Sequence, residues 1–244
     1  MTVSSAPFDQ LSEHKKGVPR RFDRAARRYD LLTGMNPGYK KHLRWSAERL
    51  QAESKSAHLL DLCCGTGLST MALAKTYPTA LIDAMDASVG MLNHARNKRY
   101  NARVRFFEGD ASNPADFGAS GPYDGILMAY GIRNLPNRDD ALDRLYDLLK
   151  PGGRIVFHEY SVADSKRAKA IWEVVSRSII IPSGRLATGD GTLYEYLRES
   201  VVQFDGVNAF EARLRDHGFT SVETLPMDGW QRGIVHSFVA CKGY

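Results

Sequence analysis

Only three cysteines occur in the 244 residues, and two of them, Cys63 and Cys64, are neighbours while Cys241 sits close to the end. That pattern provides neither a disulfide framework nor metal-ligand spacing, so it suits a reducing compartment, and no metal is expected. Also missing is any apolar run long enough to cross a bilayer, and the polar stretch from Thr2 to Gln10 lacks the hydrophobic core of a signal peptide. A cytoplasmic protein is expected. The basic residues are not interleaved with aromatics of the kind that stack bases, which argues against a nucleic-acid partner. A last absence is narrower: a loop built to hold a dinucleotide pyrophosphate would place a third glycine at position 70, where this chain has Thr70.

What is present fits a single large domain, with 43% hydrophobic and 25% charged residues, ordinary values for a globular chain. The formal net charge of +5 is concentrated in Lys15, Lys16, Arg20, Arg21, Arg24, Arg27 and Arg28. Such a cluster serves either as the solvated face of an N-terminal helix or as an attraction to an anionic membrane surface, and both readings stay open. Residues 1–19 are expected to be disordered and 20–244 to form one domain. Within it, 20–55 supply lid helices and 164–217 a helical insertion that completes the lid.

Periodicity gives an alternation of strands and helices. Strands are expected to end at Asp61, Asp86, Glu108, Ala129 and Tyr160, with a helix after each but the third. Pro182 is expected to stop the helix that begins near Ser165, leaving Ser183–Gly191 as a mobile connection. Two further alternating runs, Phe219–Leu225 and Ile234–Cys241, pair as a terminal hairpin. The fold class is therefore α/β: a doubly wound, mostly parallel seven-stranded sheet with a terminal antiparallel hairpin and a helical lid.

In such a sheet, ligands bind at the carboxyl ends of the strands. Asp61-Leu62-Cys63-Cys64-Gly65-Thr66-Gly67 reads as a strand entering a tight glycine turn, where backbone N–H groups and a helix N-terminus face a ligand. Asp86, about 20 residues on, stands where a carboxylate accepts from ribose hydroxyls. Asp110 at the third strand end suits an adenine amino group, and the Ala111 N–H a ring nitrogen. Arg133, in the turn after strand four, could hold a phenolate oxygen with Asn134 orienting it; a surface salt bridge is the alternative. His158 and His236 fall on strands near the pocket edge as candidate bases, though a lone strand histidine is more often packed and hydrogen-bonded.

The glycine segment resembles the first motif of class I S-adenosylmethionine-dependent methyltransferases, and Asp86-Ala87-Ser88-Val89-Gly90-Met91-Leu92 is similar to their second. The resemblance narrows further. Phe22, Ala26 and Tyr29-Asp30, Gly131-Ile132-Arg133-Asn134, Lys150-Pro151-Gly152-Gly153-Arg154, Glu159, and Tyr194-x-Tyr196-Leu197-x-Glu199-Ser200 look like motifs of the ubiquinone/menaquinone biosynthesis C-methyltransferases, covering nearly the whole chain from residue 22. The likeness implies S-adenosylmethionine as cofactor, held by Asp61, Cys63, Gly65, Thr66, Gly67, Asp86, Ala87, Met91, Asp110, Ala111 and Ala129. It implies a small aromatic or quinol-like acceptor, set against Tyr29, Tyr130, Asn134, Glu159, Tyr194 and Tyr196; Arg133, His158 and His236 are the catalytic candidates by their placement. C-methylation is the leading expectation. O- or N-methylation of another metabolite, an NAD-binding oxidoreductase and a non-catalytic relative are the alternatives, and a homodimer and peripheral membrane contact are carried as partner expectations. Three departures bear on the acceptor: Tyr130 replaces the usual Phe, His158-Glu159-Tyr160 replaces an apolar-Glu-Phe triplet, and the terminal histidine is displaced to 236.

Overall fold

Residue 30 and residues 33–34, 36–52, 56–189 and 191–244 are described by the structure, a computed structural model. The expected disordered segment 1–19, the basic cluster from Lys15 to Arg28, and Tyr29 lie outside the described residues. Seven strands are formed: β1 (His58–Leu62), β2 (Leu81–Asp86), β3 (Arg103–Glu108), β4 (Tyr123–Ala129), β5 (Leu149–Tyr160), β6 (Thr220–Pro226) and β7 (Val235–Cys241). Their order across the sheet is β3-β2-β1-β4-β5-β7-β6. The first five run parallel, with Leu60 beside Ile126 and Ile126 beside Ile155. β7 inserts antiparallel between β5 and β6, with Phe157 opposite Phe238.

Strand periodicity divides the core by face. Leu60, Leu62, Ile126, Met128, Phe157 and Phe238 pack on one side against α4 (Arg138–Leu148) and α8 (Val207–Asp216). Leu59, Leu127, Val156 and Val239 pack on the other against α1 (Tyr39–Glu48) and α2 (Leu68–Thr76). In α4 the buried residues Ala141, Leu142, Leu145 and Leu148 recur at helical spacing, and the Asn137 side chain accepts from Asp140 N at the N-terminus. Ser88 caps α3 (Val89–Arg96) in the same way. A separate cluster centred on Tyr160, Trp172 and Ile234 joins the sheet to α5 (Lys166–Val175) and α7 (Thr192–Val202).

Beyond shifts of a few residues at element ends, two segments differ from the sequence reading. β5 begins at Leu149, so Lys150-Pro151-Gly152-Gly153 belongs to a strand rather than to the end of α4, with a register irregularity against Tyr123–Gly125. The stretch after Pro182 is not a loose connection: α5 continues through a π turn, Ser176–Ile180, into α6 (Ile181–Thr188). The widened turn admits a residue that cannot donate a backbone N–H, and Pro182 therefore sits in the first turn of α6 instead of ending the helix. Gly189, left-handed at φ 75°, makes the actual stop.

The sheet also buries a carboxylate. Asp83, in the middle of β2, accepts from Arg105 Nε at 2.7 Å and Nη2 at 2.8 Å, lies 2.8 Å from His58 Nε2, and accepts from Tyr123 Oη at 2.9 Å. Burial alone would raise its pKa, but the Arg105, His58 and Tyr123 contacts outweigh it and hold the carboxyl below its ordinary value. A depressed carboxyl stabilises the fold above its unfolded pKa, and that stability is lost as pH falls through the folded value. Asp83→Asn is expected to lower the unfolding free energy by about 2 kcal/mol near neutral pH. In urea denaturation the gap to the parent protein should close as the pH is taken below the ordinary carboxylate range.

Candidate functional site

The strand order reverses between β1 and β4, and the two chains leaving that crevice do so through unusual backbone. Cys63 (φ 56°) follows β1 and Tyr130 (φ 57°) follows β4, both non-glycine residues in the left-handed region. Gly131 lets the two exits touch, since a Cβ there would lie 2.6 Å from Cys63 Sγ. Above them opens a cavity of about 870 Å³. Its wall includes Cys63, Gly65, Asp86, Ala87, Asp110, Ala111 and Ala129 from the strand ends and the turns after them, Met91 from α3, and Tyr130, Arg133, Asn134, Tyr194 and Tyr196 facing the same space.

The carboxylates at the strand ends are anchored by backbone. Asp86 accepts from Gly65 N and Ser88 N, both at 2.8 Å, which fixes it against the glycine loop. Asp110 accepts from Ser112 N at 2.8 Å through one oxygen. Gly65 is left-handed at φ 53°, and a Cβ built on it meets no protein atom within 4 Å, so the loop leaves open space beside its own peptide groups. A nucleoside fits these features: carboxylates for hydroxyl and amino donors, and small or flexible apolar side chains, Ala87, Ala111 and Met91, between them.

Three residues of the glycine segment expected to hold the cofactor, Asp61, Thr66 and Gly67, do not reach the cavity wall. Asp61 is fully buried and accepts from Ser69 Oγ at 2.9 Å and Thr70 Oγ1 at 2.5 Å, so it ties β1 to the first turn of α2. Burial raises its pKa to about 7 against those hydrogen bonds, with the Asp86 charge adding to the rise. Its Oδ1 has no partner among the described residues. Thr66 donates to Asp30, while its carbonyl accepts from Lys98, which in turn pairs with Asp30 at 2.5 Å. Gly67 caps α2 in the left-handed conformation, where a Cβ would strike Tyr100.

The other polar centre is dry. Arg133, 4% exposed, donates through Nη1 to Glu159 Oε1 at 2.7 Å and to the Tyr130 carbonyl at 2.9 Å, and through Nε to Ser200 Oγ at 3.2 Å. Burial acts to lower the Arg133 pKa, but the Glu159 carboxylate outweighs it; burial lifts the Glu159 carboxyl while Arg133 opposes the lift. Glu159 is buried beneath the guanidinium and is not part of the cavity wall; its Oε2 finds no partner among the described residues. The turn reaches the lid through Asn134, whose Oδ1 accepts from Tyr196 Oη at 3.1 Å. Tyr194 packs so closely on α6 that a Cβ at Gly184 would fall 2.2 Å from its ring.

Neither candidate histidine lies on the wall. His158 is fully buried, 2.7 Å from Ser46 Oγ and 2.9 Å from Tyr130 Oη, and burial together with the nearby His42, Arg49 and His236 charges lowers its pKa to about 3. His236 is 6% exposed and its pKa falls to about 4 through burial. Residues around the cavity that sequence reasoning missed include Tyr39, stacked on Tyr130 at 5.7 Å, and Val175, Ile179 and Ile180 from the lid. The partners of His158 were missed as well. Ser237 stands directly opposite it in the β5–β7 ladder, a signal readable only once the register is known.

The ubiE/COQ5 methyltransferase family model matches residues 9–242 of this chain. The ubiquinone/menaquinone biosynthesis C-methyltransferase UbiE of Nitrobacter hamburgensis is 33% identical over 219 residues, covering 85% of this chain and 85% of that protein. A demethylmenaquinone methyltransferase of Clavibacter sepedonicus is 32% identical over 216 residues, covering 87% and 86% respectively. Among solved structures, phosphoethanolamine N-methyltransferase 2 of Haemonchus contortus, in complex with S-adenosyl-L-methionine, gives a TM-score of 0.64 at 16% identity, covering 100% of this chain and 61% of that one. At that identity the likeness speaks to the fold.

Removing one member of a buried ion pair strands the other charge. Glu159→Ala is expected to cost about 3–5 kcal/mol of unfolding free energy by that mechanism. Glu159→Gln, which keeps an acceptor for Arg133, should cost distinctly less in the same denaturation series.

Proposed function

Because this chain belongs to the ubiE/COQ5 methyltransferase family, we propose that its cavity binds S-adenosylmethionine beside a reduced quinone-type ring and that the product carries a new methyl group on a ring carbon. The observation that carries the reading is that one cavity joins the carboxylates Asp86 and Asp110 to the buried guanidinium of Arg133 and the tyrosines of the lid. When bound, S-adenosylmethionine supplies an electrophilic methyl group and departs as the neutral thioether.

The chain's residues do the rest. Asp86 accepts from the ribose hydroxyls, Asp110 from the adenine amino group, and Gly65 lets the ligand lie against the loop. Arg133 holds the acceptor's ring oxygen as the phenolate, its proton already lost to bulk water before the lid closes, so that electron density moves onto the carbon that forms the new bond; that carbon then passes its own proton to water as the site reopens, and the aromatic ring is restored. A guanidinium locked by Glu159, Ser200 and the Tyr130 carbonyl needs little reorganisation to stabilise that oxygen. The lid excludes water from the line of approach. His158 and His236 carry no base role in this scheme, since both are held away from the wall as neutral rings.

Work at an anionic membrane surface is a second part of the reading. No helix among the described residues is long and apolar enough to cross a membrane. The lid nevertheless exposes Ile179 by 59% and Leu186 by 85%, with Arg177 and Arg185 beside them, and Ile179 also lines the cavity. Co-sedimentation with vesicles containing phosphatidylglycerol should weaken several-fold in an Ile179→Ser/Leu186→Ser variant; equal retention removes this part.

Turnover of labelled S-adenosylmethionine with demethylmenaquinol and with simple phenols, with the methyl position read by mass spectrometry, tests the main reading. Methyl on a quinol ring carbon is the expected product; transfer only to oxygen refutes it. Asp86→Ala should weaken S-adenosylhomocysteine binding by about 1–3 kcal/mol in calorimetry. Arg133→Ala should lower turnover more than it lowers that affinity.

A further inference from the structure

A file of hydrogen bonds crosses the core behind the cavity wall. Arg49 Nη1 donates to Ser237 Oγ at 2.8 Å, Ser237 Oγ lies 2.7 Å from Ser46 Oγ, Ser46 Oγ lies 2.7 Å from His158 Nδ1, and His158 Nε2 lies 2.9 Å from Tyr130 Oη. Ser46, Ser237 and His158 are all fully buried. A guanidinium can only donate, so Ser237 Oγ accepts at the Arg49 end, and a hydroxyl that accepts from a cation is the stronger donor through its own O–H. Run in the direction this favours, the file takes the Ser237 proton to Ser46 and the Ser46 proton to His158 Nδ1, leaves the proton of the neutral imidazole on Nε2 for Tyr130 Oη, and makes the Tyr130 O–H a donor in turn.

Tyr130 is held firmly for such a task. Its ring stacks on Tyr39 at 5.7 Å and 15°, meets His158 edge-on at 4.8 Å, and lies 4.9 Å from Tyr160, while its backbone N–H donates to the His158 carbonyl at 2.8 Å. It also borders the cavity. We infer that His158 is a positioning residue of the acceptor pocket, which through the file anchored at Arg49 sets the Tyr130 hydroxyl as a hydrogen-bond donor to a ring oxygen of the acceptor. The inference rests on the acceptor reading above and adds to it: the preferred acceptor has an oxygen for Tyr130 besides the one held by Arg133, as a dihydroxylated aromatic ring does. It also explains a buried histidine that the reaction itself leaves unused.

The test combines Tyr130→Phe, His158→Leu, His158→Gln and the double variant Tyr130→Phe/His158→Leu. Each is measured for kcat/KM on demethylmenaquinol, S-adenosylhomocysteine affinity, and the apparent pKa of bound 4-nitrophenol read by absorbance. Tyr130→Phe and His158→Leu should each lower kcat/KM about tenfold, the size of one lost hydrogen bond to a charged oxygen, and raise the bound nitrophenol pKa, with S-adenosylhomocysteine affinity unchanged. The double variant should be no worse than either single one, because both remove the same contact. His158→Gln, which keeps an N–H near Nε2, should recover most of the loss. Multiplying losses in the double variant, full activity in Tyr130→Phe, or a nitrophenol pKa that does not move with these substitutions overturns the inference. Should the parent protein fail on demethylmenaquinol yet show the nitrophenol shift and its loss in Tyr130→Phe and His158→Leu, the acceptor reading falls while the positioning role stands.

Discussion

A guanidinium and a carboxylate facing each other in a dry interior set the terms for the rest of this molecule. Arg133 and Glu159 meet at 2.7 Å with almost no solvent access, an arrangement whose desolvation cost rivals its attraction. Its residues come from the turn after β4, from β5, and, through Ser200, from α7. One polar knot therefore fixes the switch-point turn, a central strand and the lid relative to one another. An apolar triplet of similar volume would pack these elements as tightly, but it would leave no fixed positive charge on the wall of the cavity.

The strand-end half and the lid half of the cavity use different physics. The strand ends offer carboxylates immobilised by backbone N–H groups, a geometry that follows directly from a parallel sheet and a glycine turn. The lid half relies on side chains that hold other side chains: Glu159 holds Arg133, Asn134 meets Tyr196, and His158 holds Tyr130. Backbone-derived recognition tolerates substitution around it, whereas side-chain-derived recognition changes with each residue, so a single fold can keep its cofactor while its acceptors diverge.

That difference also decides what could be read from the sequence. The sheet, the terminal hairpin and the acids at the strand ends were legible, because period-two burial, glycine turns and strand-end carboxylates leave local marks at Leu59–Gly67, Asp86 and Asp110. Glu159 and His158 were legible as residues of interest but not in their placement. Whether a side chain on β5 reaches the cavity or lies behind it depends on what α1 and β7 bring opposite, and Ser46 and Ser237 are 112 and 191 positions away from their partners in the file. Pro182 misled for a local reason: its helix-stopping property holds for an α-helix and lapses where a π turn precedes it.

That π turn has an implication for how the pocket can change. Ser176–Ile180 amounts to one residue inserted into an otherwise regular helix, so its loss by deletion would leave the helix unbroken while turning everything after it by roughly 100° about the axis. Val175 would keep its place, but Ser183, which α6 offers to the cavity, would be exchanged for a different side chain in a single step. A lid built this way can acquire a new lining through a change in length, without a long series of point substitutions passing through badly packed intermediates.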